Sequence, residues 1–529
     1  MSDYNRGLFK DWVPKPLQLL LIIVFTVINI SIGSVYTGNI AMMTGDLGTM
    51  PEYLVWANYA AAIGLAAALT LFLRVKMRFR VKETLVVSYS IVAVFSYIIA
   101  TTNVPEVIVA ASFIIGFFKI FPIMEFMLPL MAIISGEGSK GKFYAVFYPF
   151  AIILGNVSGY YIIKLAYQTT WQYPHYLTLA ICLLLVMLSV VFIHEKRFSR
   201  KLPFSQVDWL SILLFSVSMM CLAYFFSFGK TLNWFQSESI RFSFWGMLVS
   251  FAVMTLRQLN LKRPYASFEI FTKSNVLNVL LLLAFTAVFL GTGSIQSIYT
   301  SGVLGYDAIT NASLNLMMIP GVLIGGIVSY PWYKSERSTK MLIFSGFAAF
   351  FLYSVMMYFM MVPEMNYGNW FLPMMLKGYG MAVLFIAVWF YTLDKLPMEQ
   401  LLQSIGLVMT FRSVITTALF TSLYSWLQYK FQWDSVNNLA VYFDGNLLSL
   451  QNALGGYKNL QVNAVLAANK KVFGLVSLAG LGIMVFVLQH HFEKLRFTSL
   501  RVLRAKLYGK RGKRKMLDKP GMAATVTKY

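Results

Sequence analysis

Four ionisable side chains stand where the surrounding residues are almost wholly apolar. Lys119 and Glu125 fall six residues apart in GFFKIFPIMEFM, Lys377 sits in LKGYGM, and Arg412 in MTFRSV. Charge at such positions is costly, and by default it marks function. A carboxylate that can take and release a proton, near ammonium or guanidinium groups that can hold an anion, is the chemistry of ion-coupled transport. Six residues on a straight helix turn ~240° and rise ~9 Å, so Lys119 and Glu125 do not face each other. Pro122 between them removes a backbone donor and favours a kink. Each group also admits a structural role, with Glu125 as the buried partner of Lys119 or Arg412 and Arg412 as a clamp of helix ends. The polar residues Asn29, Ser34, Asn39, Gln296 and Tyr299 form a second set that could line a route.

The elements that must position these groups are membrane helices. The chain has 529 residues, of which 58% are hydrophobic and 12% charged, about half the charge of a soluble domain. Apolar runs repeatedly exceed the ~20 residues a helix needs to cross a bilayer. Fourteen spans are expected, near 17–42, 53–73, 83–101, 105–134, 143–165, 176–194, 208–229, 240–259, 275–299, 310–333, 341–361, 370–393, 403–428 and 472–490. An open strand in lipid would leave backbone groups unpaired, so an all-α integral membrane fold is the reading. The first apolar run is too long for a signal sequence and lacks a cleavage site, so it reads as a retained helix.

The net charge of +23 raises nucleic acid as a partner, and its distribution removes that reading. Most of the 44 Lys and Arg fall in the N-terminal segment, in alternate loops and in the C-terminal tail. Such asymmetry places both termini in the cytoplasm. The stretch LRVKMRFRVK at 73–82 alternates Arg74, Lys76, Arg78, Arg80 and Lys82 with apolar residues, as a half-buried strand would. Between two spans it reads instead as a cytoplasmic loop whose cations meet the inner headgroups. The tail 491–529 contains a basic amphipathic stretch that fits anionic lipid. Segment 429–471 is the one long outer loop. With two cysteines, neither in a CxxC spacing, and four histidines in no HExxH or comparable cluster, no metal or cofactor is expected.

Several local patterns occur in order: TGNIAMMTGDLG followed by Trp56, ILGNVSGYY, KRPYASFEIF, GVLGYDAITNASLNLMMIPG, LKGYGM, and LPMEQLLQSIGLVMTFRS. Together, over about residues 20–490, they resemble the fourteen-helix drug:proton antiporter branch of the major facilitator superfamily. The resemblance implies a six-helix bundle in 1–194, two inserted transmembrane helices in 195–274, a second six-helix bundle in 275–490 and a basic cytoplasmic tail in 491–529. It implies alternating access by rocking of the two bundles. It also implies a gate loop at 73–82, matched in the second half by 334–340 with Glu336 beside Arg337. The chain departs from the pattern at three places. Ser34 stands where the family has Asp, Ser112 where it has Arg, and the fifth-span signature becomes Gly155-Asn156 and Gly159-Tyr160. Gly155 and Gly159 keep the i, i+4 spacing that lets helices approach closely. Proton coupling therefore does not follow from the scaffold alone.

The expected function is export of amphipathic small molecules across a bacterial inner membrane by proton antiport, with no enzymatic step. A proton neutralising Glu125 would change the tilt of the halves, and Lys119 with Lys377 would favour anionic amphiphiles. The resemblance extends to a periplasmic adaptor and an outer-membrane channel, with 429–471 as docking surface. A facilitator or importer of a nutrient or lipid precursor is the alternative on the same fold. An integral membrane enzyme would need an acid/base or metal constellation at an interface, and the sequence offers none.

Overall fold

A computed structural model of the chain describes residues 8–135, 140–195, 207–261, 265, 274–334, 338–393, 398–440 and 450–490. Helix α1 (Lys15–Ser31) is followed by α2 (Ile40–Leu47) and α3 (Pro51–Leu69). Short α4 (Phe72–Arg78) leads into α5 (Val81–Thr101), α6 (Pro105–Ser135), α7 (Lys140–Gln168) and α8 (Tyr173–Phe192). A hairpin of α9 (Trp209–Phe228) and α10 (Glu238–Asn260) comes next. The remainder is α11 (Ser274–Leu290), α12 (Gly293–Ser297), α13 (Ala308–Leu316), α14 (Ile319–Lys334), α15 (Thr339–Met360), α16 (Phe371–Leu393), α17 (Met398–Thr410), α18 (Thr417–Ala440) and α19 (Leu450–Gln489). Among the described residues no strand forms beyond one antiparallel bridge, Phe9 to Ile193. Among the described residues thirteen helical stretches are long and apolar enough to cross a membrane, and Lys15–Ser31 is a shorter apolar helix.

Prolines set several starts: Pro51 and Pro105 open α3 and α6, where a missing N–H costs nothing. Pro122 lies inside α6 as expected, joined by Pro129. Contacts between chain ends fix the helices' direction. Lys82 Nζ meets Glu195 Oε1 at 2.8 Å, Lys340 Nζ donates to the Leu488 carbonyl at 2.6 Å, and His490 Nε2 lies 3.0 Å from Asn278 Oδ1. These residues share one end of the molecule, here called the basic end.

Two helix pairs pack backbone to backbone. A Cβ placed on Gly64 of α3 would collide with the Phe113 carbonyl of α6, and one on Gly116 of α6 with the Ala61 carbonyl of α3. The same arrangement recurs later in the chain, where Gly321 of α14 abuts the Met375 carbonyl and Gly378 of α16 the Met318 carbonyl. Only glycine permits that approach. The repetition relates α3–α6 to α14–α16, and it brings the lysine-bearing helices α6 and α16 into matching positions. The α9–α10 hairpin is held by Ser243 Oγ donating to the Cys221 carbonyl at 2.7 Å. It docks on α3 through Trp56, whose Nε1 donates to the Met220 carbonyl at 3.1 Å.

Three expectations change. The span drawn at 17–42 is interrupted: α1 stops at Ser31, and 32–36 is non-helical before Thr37–Asn39 makes a single 3-10 turn. Gly33 and Ser34 sit at that break. The 73–82 loop is mostly the helix α4, with only Phe79 and Arg80 extended. The outer loop 429–471 is helical wherever it is described, because α18 runs to Ala440 and α19 starts at Leu450. Its polarity reflects helix that continues past the apolar layer, where no face needs to be oily.

Candidate functional site

Glu125 does have a buried ionic partner, and it is neither Lys119 nor Arg412. Lys76 reaches from α4 to place Nζ 2.7 Å from Glu125 Oε2, with side-chain exposures of 18% and 2%. One of the five loop cations thus turns inward from the headgroup level. Its ammonium also lies 5.4 Å from the centre of the Phe72 ring. A carboxyl this buried, when ionised, needs a cation beside it. That requirement is what draws α4 against α6. The other loop cations differ. Arg80 and Lys82 both engage Glu195, at 3.7 and 2.8 Å, and Arg80 also meets Glu83 at 3.6 Å. The Lys82 hydrogen bond holds the exposed Glu195 carboxyl below its ordinary value. Arg74 and Arg78 lie on α4, half-buried. Glu336 and Arg337 lie outside the described residues.

Lys119 donates to the backbone carbonyl of Ile32, at the place where α1 breaks. A helix C-terminus presents unsatisfied carbonyls and a partial negative charge, and a cation is favourable there. Lys377 makes a parallel contact in the second half. Its Nζ donates to Gln296 Oε1 at 3.0 Å, four residues after the Gly291–Thr292 turn that separates α11 from α12. The Tyr353 hydroxyl donates to the same oxygen at 3.2 Å, and the ammonium lies 5.3 Å from that ring. Each lysine thus projects from a tightly packed glycine-bearing helix onto an interrupted neighbour.

Arg412 lies in the π-helical turn Phe411–Thr416, with its guanidinium 4.1 Å from the centre of the Phe385 ring. Such single-turn insertions are frequent at functional sites. A second one, Ile298–Val303, follows α12. Near Arg412 the two parts of the chain meet through aromatic rings. Trp389 of α16 stacks on Tyr148 and Tyr144 of α7, at 5.6 and 6.3 Å. These rings belong to the same large buried core as Phe72 and Met124, the chain neighbours of the Lys76–Glu125 pair.

The polar candidates divide. Asn29 accepts from the Tyr89 hydroxyl at 3.1 Å. Ser34 is buried in the break. Asn39 is fully buried, and neither of its side-chain polar atoms has a partner among the described residues. Gln296 joins Lys377. The Tyr299 hydroxyl donates to the Val362 carbonyl at 2.7 Å and its ring is wholly buried, which fastens a helix end. Gly155 and Gly159 are not a packing contact either, since a Cβ at each would meet nothing within 4 Å. The close approaches belong to Gly64, Gly116, Gly321 and Gly378. Sequence reasoning missed Lys76 as an individual, Tyr353, and the Tyr148–Trp389 stack. The signal for Lys76 was available, because a lone buried carboxylate demands a cation from somewhere.

Residues 19–421 match the family model described as Major Facilitator Superfamily. The chain is 25% identical over 263 residues to the uncharacterized MFS-type transporter YcnB of Bacillus subtilis, covering 48% of this chain and 54% of that one. It is 24% identical over 262 residues to the multidrug export protein EmrB of Escherichia coli, covering 47% and 48%. The matched region spans about half the length of these curated relatives. Among solved structures, a mutant of the nucleoside transporter NupG superposes with a TM-score of 0.53 at 11% identity, covering 89% of this chain and 98% of that one. The proton:xylose symporter XylE gives 0.51 at 10% identity, covering 89% and 94%. At such identities these likenesses speak to the fold. Built from helices among its described residues, and matched by the family model over most of its length, the chain is a membrane transporter that belongs to the major facilitator superfamily.

Proposed function

We propose that the protein is a proton-coupled exporter of amphipathic small molecules, of the fourteen-helix type, in a bacterial inner membrane with both termini in the cytoplasm. The α9–α10 hairpin would be the inserted pair between two six-helix bundles. The observation that carries the mechanism is the Lys76–Glu125 pair. Glu125 lies well inside α6 and is buried, and its partner comes from α4 at the basic end, whose Phe72 shares the large buried core with Tyr148 and Trp389. While Glu125 is ionised it holds Lys76, and α4 keeps Phe72 in the cluster that closes the basic end. A proton on Glu125 removes the attraction, frees Lys76 toward water and loosens that closure.

The cargo class rests on the likeness to a protein named for multidrug export. Lys119 and Lys377, each bridging to an interrupted helix, give both halves a cation at mid-depth, and this favours anionic or polarised amphiphiles. Discontinuous helices are where transporters of several folds place their substrates. The outer ends of α18 and α19 offer a docking surface for a periplasmic adaptor leading to an outer-membrane channel. Cross-links from those ends to a co-expressed adaptor would support this, and their absence under saturating reagent would count against it.

The test is Glu125→Gln in inverted vesicles loaded through a panel of amphipathic dyes. The variant should fold and bind dye but fail to accumulate it on an imposed pH gradient. Accumulation equal to the parent, with the gradient intact and lost when it is collapsed, would remove Glu125 from the coupling.

A further inference from the structure

A second site lies on the outer wall of the first half, away from the lysines. At the basic end, α4, α5, α6 and the start of α9 enclose a slot of about 250 Å³. Its walls include Val75, Phe79, Val87, Phe117 and Trp209, with Glu83 at one edge. Phe79, Val87 and Trp209 are each about half exposed, so the slot opens sideways, toward where lipid would be. Val87 is six residues into α5, which places it ~9 Å below the start of that helix. Trp209 stands at the first position of α9, a level where tryptophan anchors at the membrane interface.

Three arginines, Arg74, Arg78 and Arg80, are chain neighbours of the lining residues Val75 and Phe79. On α4 the positions of Arg74 and Arg78 lie ~100° and ~60° around the axis from Val75, which faces the slot. Arg80 caps the far edge, 42% exposed, held at 3.6 Å by Glu83 and 3.7 Å by Glu195. Arg74 has no ion pair among the described residues. An apolar groove of chain-like depth beneath such a cluster matches one ligand chemistry, an acyl chain carrying an anionic headgroup.

We infer that this slot is a binding site for an anionic phospholipid of the inner leaflet, with one acyl chain between α5, α6 and Trp209 and the phosphate over Arg74, Arg78 and Arg80. Bound lipid would brace α4, the helix that delivers Lys76 to Glu125. Because the readout is lipid binding, the inference stands apart from the identity of the transported cargo.

The experiment uses the purified full chain in detergent with phosphatidylglycerol carrying a photoactivatable group in one acyl chain. Peptides covering 79–88 and 117–121 should carry the label. Unlabelled phosphatidylglycerol should compete at about tenfold lower concentration than phosphatidylcholine, as expected for a cluster of surface cations. Val87→Trp should fill the slot and cut labelling of those peptides severalfold, and Arg74→Gln should narrow the difference between the two lipids. Should Val87→Trp fail to fold, the labelled peptides and competition ratio of the unaltered chain decide by themselves. Label spread evenly over every lipid-facing helix, or equal competition by both lipids, would overturn the site. Displacement of the label by an amphipathic dye ahead of phosphatidylglycerol would reassign the slot to a drug.

Discussion

Consider replacing Lys76 with Met. The side chain is nearly isosteric, α4 can remain helical, and Glu125 is left 2% exposed with its cation gone. Removing one partner of a fully buried pair costs about 3–5 kcal/mol, whereas an exposed pair is worth about 0–1 kcal/mol. Lys76 keeps 18% of its surface, so the cost falls between these limits, at about 2–3 kcal/mol against the closed basic end. That corresponds to roughly a 30- to 160-fold rise in the open population. Glu125→Gln should cost less, because the freed ammonium can turn to water while a stranded carboxylate cannot. The double variant should recover most of the loss, with a coupling of about 1 kcal/mol or more. The assay is maleimide labelling of a cysteine at position 144, introduced without Cys182 and Cys221 and facing the Trp389 stack. Labelling should accelerate most in Lys76→Met, less in Glu125→Gln and least in the pair. Equal rates in all, or a greater effect from Glu125→Gln, would refute the reasoning.

Other perturbations address the remaining contacts. Gly116→Ala and Gly378→Ala each push a methyl into a facing carbonyl and should lower stability by about 1–3 kcal/mol, read as earlier thermal aggregation in detergent. Lys377→Met removes a hydrogen bond from a charged donor, worth about 1.5–3 kcal/mol, and should weaken binding of anionic dyes more than cationic ones. Tyr299→Phe should lower thermal stability and leave that preference unchanged. Asp208 caps α9 by accepting from the Ser211 backbone N–H at 3.2 Å and pairs with Arg257 at 3.0 Å. Partial burial raises its carboxyl, and the bonds from Ser211 and Arg257 outweigh this and leave it below its ordinary value. Its contribution is therefore present above the unfolded-state value near pH ~4 and is lost as pH falls through the lower folded-state value. Asp208→Asn keeps the cap and loses the charge facing Arg257, so it should cost up to about 1 kcal/mol at neutral pH, and its gap from the parent should close in melts taken at progressively more acid pH.

The architecture was readable because a bilayer leaves so few options. Run length gave helices at nearly every expected position. Finer features were unreadable where they depend on which neighbour a helix happens to meet. The glycine at 155 and the one at 116 look alike in sequence, yet only Gly116 touches another backbone, because the register of α3 against α6 decides it. Glu125 was singled out correctly as a buried acid, while its partner came from a segment read as headgroup-facing. Alternation in LRVKMRFRVK hides the fact that a helix starting at Phe72 turns Lys76 inward. The break after Ser31 carries a local signal in Gly33 and Ser34 and in the polar residues from Asn29 to Asn39, which a reading by run length alone bridges. Polarity misled once, at 429–471, where water-facing helix has the composition of a loop.

Helix α19 is 40 residues long, about 60 Å at 1.5 Å per residue, roughly twice the thickness of a hydrocarbon layer. The stretch 403–439 before it is similarly drawn out at 37 residues. Helix α19 is continuous over that length, so any tilt of the second half is magnified at its end as by a lever. A swing of 10° would carry the tip about 5 Å, and whatever gripped that tip would stall the stroke or be driven by it.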